Sequence, residues 1–175
     1  MTCSCTALKF VPNEDVQVYP LEKSKNEISK NSEGQELGKM KWYKDSTCTA
    51  VYFNNENEAS YCFNYIRKPE RIVQILSNEN ELGKITDIKK HNSYLEFQND
   101  SILLRPIQGQ IVAIHNEKQI ARVFQNKSES RIEIAPNYAN NKLLISALLY
   151  KNDGWRKTNS SSGDDFLLYY IIFFM

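Results

Sequence analysis

"NENELGKI", residues 78–85, is the stretch on which the reading of the fold turns. It is a polar turn carrying Glu, followed by Leu, a small residue, a basic residue and an apolar one. The same phrase stands earlier as "SEGQELGKM" (Ser32–Met40) and later as "NEKQIARV" (Asn116–Val123). With its flanks, "RIVQIL-SNEN-ELGKITDI" reads as strand, tight polar turn, strand. "QIVAI-HNEK-QIARVF" reads the same way, and "EIS-KNSEGQ-ELGKMKW" fits with a longer turn. Asn suits each tip because it tolerates left-handed backbone angles and supports turns through its side chain. Gly38, Gly83 and Ala121 leave room for a bulge or a close backbone approach just past the turn. Lys39, Lys84 and Arg122 are then expected to face water while their apolar neighbours face inward.

Outward from the repeat, short apolar or alternating runs continue from Trp42 at nearly even spacing, among them "TAVYF", "YCFNYI", "YLEFQ", "ILLRPI" and "RIEIA". In "YLEF" and "RIEIA" apolar and polar residues alternate, the period of a strand with one wet face. Runs of this number and spacing predict an antiparallel, mainly β domain. Leu37, Leu82 and Ile120 recur at about 40 residues, a spacing that also raises a propeller. Three blades fall short of the roughly four that close one, and no Trp-Asp signature is present. A barrel built from successive hairpins is the simpler expectation.

One segment departs from this pattern. In "NYANNKLLISALLYKND" (Asn137–Asp153) Ser146 alone interrupts the apolar run Leu143–Tyr150. Leu and Ala favour helix, and Asn140 or Asn141 can cap its start. A helix apolar on every side belongs inside something. The expectation is a closed antiparallel β-barrel of about twelve strands wrapped around one central helix near residues 140–152.

The chain's 175 residues suit one domain with a substantial core. A net charge of +1 gives no domain-wide field toward nucleic acid, so no nucleic-acid partner is expected. Cys3, Cys5, Cys48 and Cys62 include only one close pair. C-x-C with no second Cys/His pair is not a zinc pattern, and no metal or other cofactor is expected. "MTCSCTALKF" lacks the charged start and apolar stretch of a secretory signal. A cytoplasmic chain with free thiols is therefore expected. Residues 1–15 read as a loose leader, 16–155 as the barrel domain and 156–175 as a polar linker with an apolar tail.

Repeated hairpins of the "ELGKI" and "IARVF" kind, followed by one late and wholly apolar helix, resemble the tubby C-terminal-like superfamily, which includes the phospholipid scramblases and the LURP-one-related proteins. Within it the chain is most similar to small bacterial tubby-like proteins, over roughly residues 16–155. The resemblance implies a barrel around a central helix and a setting near membrane lipid. Tubby proteins bind phosphoinositides through clustered Lys and Arg, and no motif here matches that site residue by residue.

The candidate anion- or lipid-binding residues are Arg67, Lys68 and Arg71, then Lys84, Lys89 and Lys90. If neighbouring hairpins bring them together they can hold anionic headgroups. The favoured reading of these residues is a solvated surface, since Glu70, Glu79, Glu81 and Asp87 are interleaved with them. The stretch "DDFLLYYIIFFM" ends the sequence. Phe166, Leu167, Tyr169, Tyr170, Phe173 and Phe174 in it are candidates for membrane contact. A final strand or packed tail is the first reading of this stretch, membrane contact the second, and the start of a longer apolar segment the third. Asp164–Asp165 reads as a polar loop and His115 as a surface residue. No hydrolase, kinase or metalloprotease motif occurs, so no catalytic residue is expected. The function expected is a non-catalytic, monomeric binding or scaffold domain, peripheral to a membrane through anionic lipid. The alternative is a soluble module that binds another protein.

Overall fold

The computed structural model describes residues 17–21, 28–30, 36–43, 47–54, 59–67, 71–88, 92–125 and 130–159. The repeated phrase sets the local geometry. Strand β6 (Ile72–Ser77) passes into β7 (Asn80–Asp87) through Asn78 and Glu79 alone, both with positive φ, 49° and 67°. Strand β10 (Gln110–His115) passes into β11 (Lys118–Gln125) through Asn116 and Glu117 at 48° and 63°. Two consecutive left-handed residues make the turn whose twist matches that of antiparallel strands. β8 (Ser93–Phe97) and β9 (Asp100–Ile107) join the same way through Gln98–Asn99, and β9 and β10 through Gln108–Gly109.

The expected bulge is present in all three copies and always at the same place. Ile75 pairs with Gly83 but Leu76 pairs with Glu81, so Leu82 is the inserted residue. Ala113 pairs with Ala121 and Ile114 with Gln119, which leaves Ile120 over. In the first copy β2 (Ile28–Lys30) pairs with β3 (Glu36–Trp42), and the shift between Ser29–Gly38 and Lys30–Glu36 sets Leu37 apart. The small residue that follows is needed for contact: a Cβ on Gly83 would lie 2.6 Å from the Glu96 carbonyl oxygen. Past each bulge the side chains resume alternation, and Met40, Ile85 and Val123 are all buried.

The remaining strands are β1 (Gln17–Pro20), β4 (Ala50–Asn54), β5 (Ala59–Ile66) and β12 (Ser130–Ile134). All twelve lie in one antiparallel sheet in the order β1-β12-β11-β10-β9-β8-β7-β6-β5-β4-β3-β2. The copies of the phrase therefore sit on β3, β7 and β11, four strands apart each time. Their recurrence in sequence is the sheet's own repeat.

The sheet curls around helix α1 (Lys142–Asn159). Asn141 caps it, its Oδ1 accepting the Leu144 N–H at 3.0 Å. Every residue from Leu143 to Tyr150 is buried, and Ser146 satisfies its hydroxyl on the Leu143 carbonyl at 2.8 Å. Tyr150 stacks on Trp42 of β3 and Phe63 of β5, Leu143 in the first turn lies beside Gly83 of β7, and the helix also lies near β10 and β11. A helix touched from so many directions by apolar side chains is the centre of the core, as its unbroken apolar run requires.

Two expectations are corrected. The barrel is not closed by a backbone ladder: β1 and β2 stand at opposite ends of the sheet order, and although their Cα atoms come within 8 Å of one another, they are not paired. Strands of four and three residues offer few backbone groups for such a ladder. The expectation of free thiols also fails for two of the four cysteines, because Cys48 and Cys62 form a disulfide. The β4–β5 register sets Val51 opposite Cys62, and the Thr49 N–H bonds to the Phe63 carbonyl. The lead-in to β4 thus runs beside Cys62, a proximity that 14 residues of separation do not reveal. Cys3 and Cys5 lie outside the described residues.

Candidate functional site

Antiparallel order assigns every connection to one of two ends. At one end lie the longer connections, 43–49 between β3 and β4, 67–71 between β5 and β6, and 88–92 between β7 and β8, together with the two-residue turn Gln108–Gly109 between β9 and β10. At the other lie the two-residue turns of β6–β7, β8–β9 and β10–β11, together with the chain entering α1. These are the loop end and the turn end. The helix starts at the turn end and runs toward the loop end, where Lys151 bonds Asp87 at 2.9 Å.

Charge is divided between the two. Among the described side chains, Lys41, Arg67, Arg71, Arg105, Arg131 and Lys151 lie toward the loop end, where Asp87, and Glu133 bonded to Arg131, are the acidic residues. Toward the turn end lie Glu79, Glu81, Glu96, Asp100 and Glu117, against Lys118 and Lys142. Among the described side chains charge is therefore polarised along the strands, more positive at the loop end and more negative at the turn end. Such a distribution orients the molecule in an external field even though its total charge is small.

The residues singled out from the sequence fall into three groups. Arg67 and Arg71 flank the β5–β6 connection, both exposed at the loop end. Lys84 stands apart from them, outward in mid-strand, 3.3 Å from Glu96 on β8. Lys68, Lys89, Lys90 and the tail candidates Phe166, Leu167, Tyr169, Tyr170, Phe173 and Phe174 lie outside the described residues, as do His91 and Asp164–Asp165. The basic residues of the three phrases do not converge. Lys39 lies 6.0 Å from the Phe53 ring centroid, Lys84 meets Glu96, and Arg122 bonds Glu133.

Arg105, Arg131, Lys41 and Lys151 were not legible as members of a site. Each belongs to a different element, and only strand register shows that they share an end. Two local devices hold this positive charge. Lys41 lies over Phe53 at 5.0 Å and Arg131 over Phe124 at 4.2 Å, where the ring faces attract cations. Glu133, with only 6% of its side chain exposed, accepts from Arg122 and, at 2.7 Å, from Arg131. Burial pushes the Glu133 carboxyl up, but the hydrogen bonds and charges of the two arginines outweigh it and hold the group below its usual range.

At the turn end His115 departs from its expected role as a free surface residue. Its Nε2 is 2.7 Å from Asp100 Oδ1, its Nδ1 is 2.6 Å from Tyr138 Oη, and its side chain is 15% exposed. Asp100 is the first residue of β9 and His115 the last of β10, so two adjacent hairpin turns bring them together. Tyr138 closes the 3-10 turn Pro136–Tyr138 that leads into α1.

Among the described residues no three His, Cys, Asp or Glu gather as a metal site, and no helix is long and apolar enough to cross a membrane. On the outer face, strand register aligns Ile66, Ile72, Thr86, Tyr94, Leu103 and Ile114 in one row across six strands. Tyr94 in that row is 43% exposed. The comparisons add no assignment: no protein-family model, curated protein or solved structure matches the chain.

Proposed function

We propose that this chain is a non-catalytic binding domain of the tubby-like kind that sits with its loop end against an anionic lipid surface. The observation that supports this reading is the separation of charge between the two ends, with exposed Arg67 and Arg71 on the positive one. Basic residues at a membrane surface contribute about 1 kcal/mol each where the leaflet is anionic. The acidic turn end would be repelled, so the same charges that bind also orient. The candidate residues Lys68, Lys89 and Lys90, which lie outside the described residues, take part in lipid binding under this proposal.

The test is co-sedimentation with vesicles containing about 30% phosphatidylserine, chosen to set up the anionic leaflet of the argument. Binding is expected at low salt and should weaken as screening rises. Arg67→Glu with Arg71→Glu should lower affinity at least tenfold, whereas Lys118→Glu with Lys142→Glu should change it little. Equal loss from both pairs, or no binding by the unmodified chain, would sink the reading.

The alternative, a protein-interaction module, draws on the apolar row from Ile66 to Ile114. Tyr94→Ser interrupts that row and leaves the charge of the loop end unchanged. Under the lipid reading this variant binds vesicles as the parent does, and the chain remains a monomer. A cytoplasmic location is part of the same proposal, and the Cys48–Cys62 pair bears on it, because such bonds persist in oxidising compartments and are rare in the cytosol.

A further inference from the structure

The Asp100–His115–Tyr138 arrangement has the order and spacing of an activated hydroxyl. A carboxylate only accepts hydrogen bonds, so the His115 nitrogen facing Asp100, Nε2, carries the ring proton. In the neutral ring Nδ1 is then left as a base, and the group in front of it, at 2.6 Å, is the Tyr138 hydroxyl. Hydroxyl, base and a third group that fixes the base's tautomer form the general signature of a side-chain nucleophile.

The supporting frame is rigid at all three points. Asp100 follows a two-residue turn directly and accepts the Ser101 N–H at 2.8 Å. His115 precedes the next such turn, and its ring meets that of Tyr138 edge-on at 87°. Tyr138 donates its backbone N–H to the Ala135 carbonyl at 2.9 Å, and its own carbonyl accepts from Asn141, the helix cap. Groups on strand ends and a capped helix entrance hold a constellation more closely than loops do. The relay is also reachable: Asp100 is 39% exposed, and Tyr138 is only partly buried.

We propose that Tyr138 is a reactive acyl acceptor, with His115 as its base and Asp100 as the positioning residue. The substrate class is a small activated carboxylic ester or thioester. Tyr138 Oη attacks the carbonyl carbon while its proton passes to His115 Nδ1. The bond from carbon to the leaving oxygen or sulfur breaks, the leaving group departs with the proton held by the imidazolium, and an O-acyl tyrosine remains. No oxidant or metal enters the balance. The site is at the turn end, so it stands independently of the lipid reading.

The experiment exposes the full chain to p-nitrophenyl acetate and maps acetylated tyrosines by peptide mass spectrometry over time. Tyr43 and Tyr94, each 43% exposed, are internal references whose hydroxyls are more open to solvent. Tyr138 is expected to acetylate at least tenfold faster than either. His115→Ala should bring it down to or below the reference rate, and free imidazole should restore the rate in His115→Gly. Asp100→Asn should slow it and Asp100→Glu recover part of it. If Tyr138 in the unmodified chain reacts no faster than Tyr43 and Tyr94, the contact is only a fastening of the helix entrance and the proposal falls. Rapid labelling that persists in His115→Ala overturns it equally.

Discussion

The loop end and the turn end are made by the same strands, yet order is imposed on them differently. At the turn end it is local: Asn78–Glu79, Gln98–Asn99 and Asn116–Glu117 each take two left-handed conformations, and the register follows from the backbone. At the loop end the β9–β10 turn at Gln108–Gly109 is local in the same way, and the rest depends on contacts between residues far apart in sequence. Cys48 joins Cys62, Lys151 reaches Asp87, and Ser93 donates to the same carboxylate at 2.6 Å. An end held by short-range geometry tolerates acidic side chains on its tips. An end held by distant partners leaves its longer connections available for charge.

Three changes would break or sharpen this contrast. Reducing the Cys48–Cys62 bond has the largest expected effect, a loss of about 3 kcal/mol for a cross-link of this span. It should appear as a lower midpoint in urea unfolding with dithiothreitol than without. If the two midpoints coincide, the loop end does not need its clip.

Glu133→Gln comes next, with an expected cost of about 2 kcal/mol, because Arg122 and Arg131 lose a charged acceptor in a mostly buried place. The same change removes a negative charge beside the positive end, so vesicle affinity should rise while stability falls. The unmodified chain should share the stability effect in acid. The folded carboxyl titrates below its usual range, so its contribution is complete above the unfolded value of about 4.3. It is lost as pH falls through the folded value. Thermal unfolding between neutral pH and pH 3 should show a steeper loss for the parent than for Glu133→Gln.

The smallest effect concerns the turn end and has the opposite sign. Glu79 at φ 67° and Glu117 at φ 63° occupy turn positions that glycine fills with less strain. Glu79→Gly and Glu117→Gly should each stabilise by roughly 0.5 kcal/mol, since relief of the left-handed strain is partly offset by glycine's greater freedom when unfolded. A melting temperature lowered by either change would mean that the turns are held by something other than backbone preference.

The class of the fold could be read because its causes are local. The phrase around Gly83 states turn, bulge and inward residue within eight positions, and the helix announces its burial through Leu143–Tyr150. The candidate site was legible only in part. Arg67 and Arg71 stand close in sequence and share an end, but Lys84 looked like their neighbour until β7 carried it into mid-strand beside Glu96. Arg105 and Arg131 gave no linear sign, and His115 looked isolated because Asp100 and Tyr138 lie 15 and 23 residues away along the chain.

The sequence by itself determined what depends on neighbours along the chain: hairpin turns, the bulge in each copy of the phrase, alternation of faces, and a helix that has to be covered. Tertiary structure alone decided what depends on which strands lie side by side. It separated the copies of the phrase by four strands, left β1 and β2 unpaired, joined Cys48 to Cys62, sorted the charges to opposite ends and set an imidazole between a carboxylate and a phenol. The physical reason is range. Backbone conformation and side-chain period act over a few residues, whereas a disulfide, a salt bridge or a proton relay needs atoms a few ångströms apart, and in this sheet only the pairing of strands brings them there.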